Sequence, residues 1–271
     1  MFALACVAAL SLTAQTPSTP APRTSAPRTL DVLIVGNSYT YFNNLGDVLA
    51  GIAASLPSGP RITPSLIVGG GMTLQWHLAT GKAAAALDSR RWDYVVLQEQ
   101  SALGGGSEDG QARLSPPTIF HESVRRFVPR IRAARSTPLL LMTWARLARP
   151  EEQATLTGAY RAIGKELATQ VAPAGLAWQE ALRRWPALSL HVEDGSHPNP
   201  AGTYLTACVL YAALTGRDPR GAAATITGHP YSRREGTVDA SQVVTLVSLP
   251  PELAARLQAV AWDVAAPDLP H

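Results

Sequence analysis

The chain has 271 residues, 46% of them hydrophobic and 16% charged, a balance that excludes a disordered or collagen-like chain. Its formal charge of +3 falls to +1 once Arg23 and Arg28, in a proline-rich N-terminal stretch, are set aside, because 21 of the 23 basic side chains then face 20 acidic ones. Such a domain has no basic footprint for nucleic acid, and none is expected as a partner.

Met1–Leu12 (MFALACVAALSL) carries no charge. It has about the length of a signal-peptide apolar region and is too short to span a bilayer. Residues 13–28 are rich in Pro, Ser and Thr and read as a stiff, solvated linker. No Lys or Arg precedes Arg23, so the usual basic start of a signal peptide is missing. The expectation is a bacterial exported protein, periplasmic or extracellular, with an uncleaved N-terminal anchor as the alternative. Cys6 lies in the leader and Cys208 in the apolar run TACVLYAAL, so residues 29–271 hold one cysteine and no internal disulfide. Cys208 reads as a small buried hydrophobe.

From Leu30 short apolar runs alternate with longer helical periods. DVLIV (31–35) predicts a strand buried on both faces, and Leu45, Val48, Leu49, Ile52 and Ala53 predict a helix closing near Pro57. SLIV (65–68) is a second strand, followed by three glycines and a helical stretch from Thr73 to Leu87. YVVLQ (94–98) is a third strand, and Ile119 to Ile131 mark an amphipathic helix after a polar loop at 104–106. LLLMTW (139–144) is a fourth strand, Glu151 to Gln170 a long helix, and VAPAGLA (171–177) a short fifth strand. Asn199-Pro200 has the cap-then-first-turn signature of a helix that stops at Gly216. Strands alternating with helices imply βαβ units and a parallel sheet covered on both faces: an α/β domain over 29–271. Residues 221–271 break this rhythm, with one strand-like segment and a last helix over 251–262 that the pattern leaves unplaced.

Ligands of an open parallel sheet bind at the carboxyl ends of its strands. Past the first strand stands Gly36-Asn37-Ser38, past the second Gly69-Gly70-Gly71, past the third Gln98-Glu99-Gln100-Ser101. Asp194-Gly195-Ser196-His197 lies just before the Asn199 helix start. A serine needs an oriented base to act as a nucleophile. Asp194 and His197, three residues apart, can set the carboxylate against imidazole Nδ1 and leave Nε2 for Ser38. The plainer reading of Ser38 is a turn residue.

With these blocks in this order, the sequence resembles the SGNH (GDSL-type) hydrolase superfamily from about Leu30 to Gly216. IVGNS matches the first block, with Asn37 where the family has aspartate; GGGMTL matches the glycine block, with Gly71 as the aligned N–H donor; DGSHPN matches the last block, at Asp194 and His197. The resemblance implies a three-layer α/β/α sandwich of flavodoxin-like type with a central parallel sheet. It implies a Ser38–His197–Asp194 esterase with an oxyanion hole from the Ser38 and Gly71 N–H groups and no cofactor. The third block departs from it: the family's oxyanion-hole asparagine is missing from VVLQEQS. A glutamine carboxamide offers the same donor on a longer stem. Gln98 and Gln100 are both candidates, and Gln100, further past the strand end, is favoured.

The substrate is expected to be a small-molecule or glycan ester, with a lean towards carbohydrate O-acetyl groups. A lipase-type esterase and a non-catalytic carbohydrate-binding relative are the alternatives. Trp144, at the end of the fourth strand, and Trp76 read first as core residues, with an aromatic platform for a sugar ring as the sharper alternative. Tyr39, Tyr41 and Phe42 are candidate wall or lid residues, while His77 and His121 read as packed or surface histidines. His191, Glu193, Asp194 and His197 lack metalloprotease spacing, Leu74 stands where a dinucleotide fingerprint needs its third glycine, and Thr40 breaks the lipase-type nucleophile elbow.

Overall fold

The computed structural model describes residues 1–2, 28–57, 59–104, 107–108, 111–232, 234 and 236–269. Most of the expected leader and linker, with Cys6, lies outside the described residues. The first apolar run is β1 (Thr29–Gly36), and its alternation sets the layering. Val32 and Ile34 enter one core and Leu33 and Val35 the other, all four fully buried. Two apolar faces require helices on both sides.

After β1 come α1 (Ser38–Tyr41), α2 (Leu45–Ser55), β2 (Arg61–Val68), α3 (Leu74–Thr80), α4 (Lys82–Ser89) and β3 (Tyr94–Leu97). The helical stretch expected from Thr73 to Leu87 is thus two helices, broken at Gly81. A small ribbon, β4 (Ser107–Glu108) with β5 (Gln111–Ala112), precedes α5 (Thr118–Ala133). Then follow β6 (Thr137–Leu141), α6 (Glu152–Glu166), β7 (Gln170–Ala172), α7 (Ala174–Arg184) and α8 (Pro200–Thr215). The fifth strand expected over 171–177 ends at Ala172. From Ala174 the chain is helical, because Ala174, Ala177, Trp178 and Ala181 recur on one buried face. The five principal strands form one parallel sheet in the order β2-β1-β3-β6-β7, so all their carboxyl ends share one edge.

The C-terminal segment, which the sequence leaves unplaced, is built into this core. It contains β8 (Thr225–Gly228), β9 (Tyr231–Ser232), β10 (Thr237–Val238), β11 (Val244–Ser248) and α9 (Pro251–Ala265). β8 pairs antiparallel with β11, and β9 with β10. The reason lies in α8, where every residue from Ala201 to Leu214 is buried. A helix without a polar face must be covered all round. Helices α2, α7 and α9 pack on it, over one face of the sheet, while α3 to α6 cover the other. Gln258 of α9 accepts from Gly221 N at 2.9 Å and donates to Tyr204 Oη of α8 at 2.7 Å. Asn44 donates to the His229 carbonyl at 2.7 Å, fastening the segment to α2 as well. Among the described residues no helix is long and apolar enough to cross a membrane.

Candidate active site

At the carboxyl end of β1 the chain leaves the sheet through Asn37, which caps α1 by accepting from Tyr39 N at 3.1 Å. Ser38 is the first residue of that helix and is 7% exposed. The turn is fixed from below: Asn37 N donates to Gln98 Oε1 at 2.9 Å. Position 36 must be glycine for this approach, since a Cβ there would sit 2.5 Å from the Gln98 oxygen.

The loop before α8 brings the other two residues. Val192 N donates to the His197 carbonyl at 2.9 Å and closes a tight turn over 192–197. Asp194 Oδ1 accepts from Ser196 N at 2.8 Å and from His197 N at 2.9 Å, which leaves Oδ2 for His197 Nδ1 at 2.6 Å. His197 Nε2 then lies 2.8 Å from Ser38 Oγ. Burial pushes the Asp194 carboxyl up, but the His197 imidazole and the two backbone N–H groups outweigh it and hold it below its ordinary value. Asn43 secures the loop by donating to the Pro198 carbonyl at 2.9 Å.

Aromatic rings hold the imidazole in place. Phe42 stacks on His197 at 4.6 Å between ring centroids, and Tyr39 meets it edge-on at 5.6 Å. Tyr39 is itself stacked on Trp144 at 4.6 Å, and Trp144 on Trp178 at 4.0 Å. Trp144 also donates Nε1–H to the Ser196 carbonyl at 3.1 Å. The sugar-platform reading of Trp144 is therefore corrected. The ring is 2% exposed and stacked between two other rings, so it braces the histidine loop and leaves almost no surface for a ligand. Trp76 is half-buried and lines an open hollow of about 680 Å³ with Gly71, Gln75 and Arg126.

Ser38, His197, Gly71 and Gln100 line one small pocket of about 110 Å³, with Asn37, Tyr39, Ser101, Arg146 and Ser196 completing its wall. Gly71 has φ +69°, a conformation open to glycine at no steric cost. The two glutamines part company. The carboxamide of Gln98 is occupied within the fold, its oxygen on Asn37 N and its NH₂ on the Glu99 carbonyl, so it serves the turn that carries Ser38 and not the pocket. Gln100 faces the pocket, and its Oε1 accepts from Ala102 N at 2.6 Å, a bond that turns the oxygen back into its own loop.

Sequence reasoning passed over Arg146 and Glu99. Arg146 donates to Ser101 Oγ at 3.0 Å across the pocket and lies just past β6, on the edge where the other site residues were sought. Glu99 is fully buried behind the pocket, and its burial pushes the carboxyl up to about 7 against the pull of the Gln100 and Leu74 N–H groups. His77 is also buried; its Nε2–H donates to the Gly36 carbonyl at 2.8 Å and Nδ1 meets no hydrogen-bond partner among the described residues. Burial holds it below the ordinary imidazole range. His191 is lowered for the same reason, and its Nε2–H donates to the Ala145 carbonyl at 3.2 Å. Among the described residues no three His, Cys, Asp or Glu side chains gather as a metal-ligand set.

No protein-family model matches the chain, and no curated protein sequence matches it. Solved structures do. A protein of Slackia heliotrinireducens assigned as an SGNH hydrolase is 24% identical with a TM-score of 0.55, over 68% of this chain and 98% of that one. The acetyl xylan esterase AlAXEase is 15% identical with a TM-score of 0.55, over 68% and 99% of the two chains. A lipase/acylhydrolase of Enterococcus faecalis is 18% identical with a TM-score of 0.52, over 69% and 96%. At these identities the likeness is one of architecture, and it agrees with the parallel five-stranded sheet between two helical layers: the chain has the SGNH hydrolase fold.

Proposed function

We propose that the protein is a serine esterase that removes short acyl groups, acetyl foremost, by an acyl-enzyme mechanism. The observation that carries the reading is the continuous chain from Asp194 Oδ2 through His197 to Ser38 Oγ, with links of 2.6 and 2.8 Å, opening on a pocket that also holds Gly71 and Gln100. Ser38 Oγ attacks the ester carbonyl carbon while His197 Nε2 takes the serine proton, and Asp194 steadies the imidazolium. The developing oxyanion is received by the Ser38 and Gly71 N–H groups and the Gln100 carboxamide. Collapse of the intermediate breaks the bond to the alcohol, which leaves with the proton from His197. Water, deprotonated by the same histidine, then releases the carboxylic acid and restores Ser38.

A pocket of about 110 Å³ supports a small acyl group. A glycan as the alcohol side is supported by the open hollow beside Gly71, where Trp76 supplies an aromatic surface and Gln75 and Arg126 supply hydrogen-bond donors. Export, inferred from the uncharged apolar leader, suits a polymeric substrate outside the cytoplasm. A second reading, a lipid-type acyl hydrolase, is favoured by one feature. An apolar cavity of about 280 Å³, lined by Leu147, Pro150, Trp178 and Leu182, shares Arg146 with the catalytic pocket.

p-Nitrophenyl esters of increasing chain length, hydrolysed by wild type and Ser38→Ala, separate these. Ser38-dependent turnover greatest on acetate supports the proposal, a maximum on long chains supports the lipid reading, and no Ser38-dependent turnover on any ester defeats both and leaves a binding protein.

A further inference from the structure

We propose that Glu99 is the positioning residue of the oxyanion hole, its carboxylate holding the segment that follows Gly71 and the segment that carries Gln100 in a fixed relation. The proposal rests on the esterase reading above. Glu99 is 0% exposed, and its two oxygens accept from Leu74 N at 3.2 and 3.3 Å. Oε1 also accepts from Gln100 N at 2.6 Å. Leu74 begins α3 three residues after Gly71, and Gln100 faces the catalytic pocket, so one side chain spans the two loops that would supply oxyanion donors. The backbone of Glu99 is tied down as well, its N–H donating to Tyr160 Oη of α6 at 3.2 Å and its carbonyl accepting from Gln98 Nε2.

The chemistry of the side chain matters here. Every group presented to the Glu99 oxygens is a backbone N–H, and an ionised carboxylate is the one side-chain group of this size that only accepts. A glutamine in its place can keep an acceptor at the Oε1 position, which both N–H groups share, but then sets its NH₂ donor against Leu74 N at the Oε2 position. Flipped, it sets that donor against Gln100 N, so it loosens the Gly71 side or the Gln100 side. Among the described residues the titratable group facing the carboxylate is the Tyr160 hydroxyl of α6, which burial keeps protonated. His77 of α3 directs its imidazole to the Gly36 carbonyl instead. The anion is thus held by N–H groups without a neighbouring cation in contact. Burial brings its pKa to about 7, so protonation of Glu99 falls within the neutral range, where it would slacken the clamp.

The test measures kcat, KM and their pH profiles on p-nitrophenyl acetate for wild type, Glu99→Gln and Glu99→Asp, with Ser38→Ala as the blank and thermal unfolding as the check on the fold. The expected result is a folded Glu99→Gln with KM near wild type and kcat lowered roughly 10- to 100-fold, on the scale of a displaced or lost oxyanion donor. Its profile loses one ionisation from the acid limb, and Glu99→Asp, still an acceptor-only carboxylate, recovers that ionisation and part of kcat. A Glu99→Gln enzyme with wild-type kcat, or one altered only in KM, overturns the role. Should Glu99→Gln fail to fold, the wild-type profile decides: an acid limb with two ionisations supports the clamp, and a limb with one overturns it. Absence of Ser38-dependent turnover in wild type overturns the esterase reading and this role together. Ser38-dependent turnover that Glu99→Gln leaves untouched overturns the role of Glu99 alone.

Discussion

The side-chain NH₂ of Asn37 donates to the main-chain carbonyl of Met72 at 3.0 Å, linking the turn that carries Ser38 to the loop that carries Gly71. An aspartate, the residue that the GDSL pattern has at this position, has no donor to make that bond. The departure from the pattern at Asn37 therefore has a physical use: it sets the spacing between two of the proposed oxyanion donors.

Asn37→Asp keeps the acceptor for Tyr39 N but brings a carboxylate against the Met72 carbonyl. The expected cost is about 1–3 kcal/mol, that of a lost, partly buried hydrogen bond and an unpaired acceptor. Urea unfolding measures the stability part, and a kcat that drops at least about tenfold with little change in KM measures the part felt by the transition state. Equal stability and equal kcat would show that the link is incidental.

Stability should depend on pH in two opposed ways. Glu99 is raised in the fold from 4.5 to about 7, so its contribution is complete below about 4.5 and is lost as pH rises to about 7, because the unfolded chain gives up that proton first. That loss is about 3 kcal/mol, taking about 1.4 kcal/mol per unit. His77 and His191 are lowered below 6.5, so their contribution is complete above 6.5 and is lost as pH falls, the unfolded chain taking up protons first. Urea unfolding of wild type and Glu99→Gln, at a pH near 4.5 and again above 7, isolates the first effect. The variant should gain on wild type by about 3 kcal/mol between the two conditions, and a constant difference would show that Glu99 carries no such linkage.

The C-terminal helix is a structural necessity for α8. Leu257 is fully buried in the core that α8 and α9 share, so Leu257→Ala should cost about 2–5 kcal/mol in urea unfolding. A loss below about 1 kcal/mol would mean that α9 can part from α8 without opening the core.

The sheet and the four site segments were legible because each depends on a local rule. Continuous apolar runs mark strands buried on both faces, and polar residues just past their ends mark the functional edge. That logic found Ser38, Gly71 and Gln100, while the three-residue spacing before the Asn199 helix start found Asp194 and His197. The fold gathers Ser38, Gly71, Gln100 and His197 around one pocket, with Asp194 bonded behind the imidazole. It could not separate Gln98 from Gln100, because both lie past the same strand and only the position of Gln98 beneath Gly36 shows where its carboxamide is used. Trp144 needed the stacking partners Tyr39 and Trp178, which are distant in sequence. The placement of residues 221–271 did leave a trace. TYLTACVLYAALT is apolar all round, so something beyond Gly216 had to cover it. Glu99 left a trace too, as a carboxylate directly after an apolar strand, whose meaning depends on the Leu74 N–H group 25 residues away.

The most direct test of the central claim is the site of acylation. Wild-type protein mixed with p-nitrophenyl acetate, quenched in acid during turnover and digested for mass spectrometry, should carry one acetyl group on the peptide containing Ser38. His197→Ala should show that label lost or greatly slowed. Sustained turnover with Ser38 unmodified, or an acetyl group that accumulates on another residue at the catalytic rate, would contradict the account.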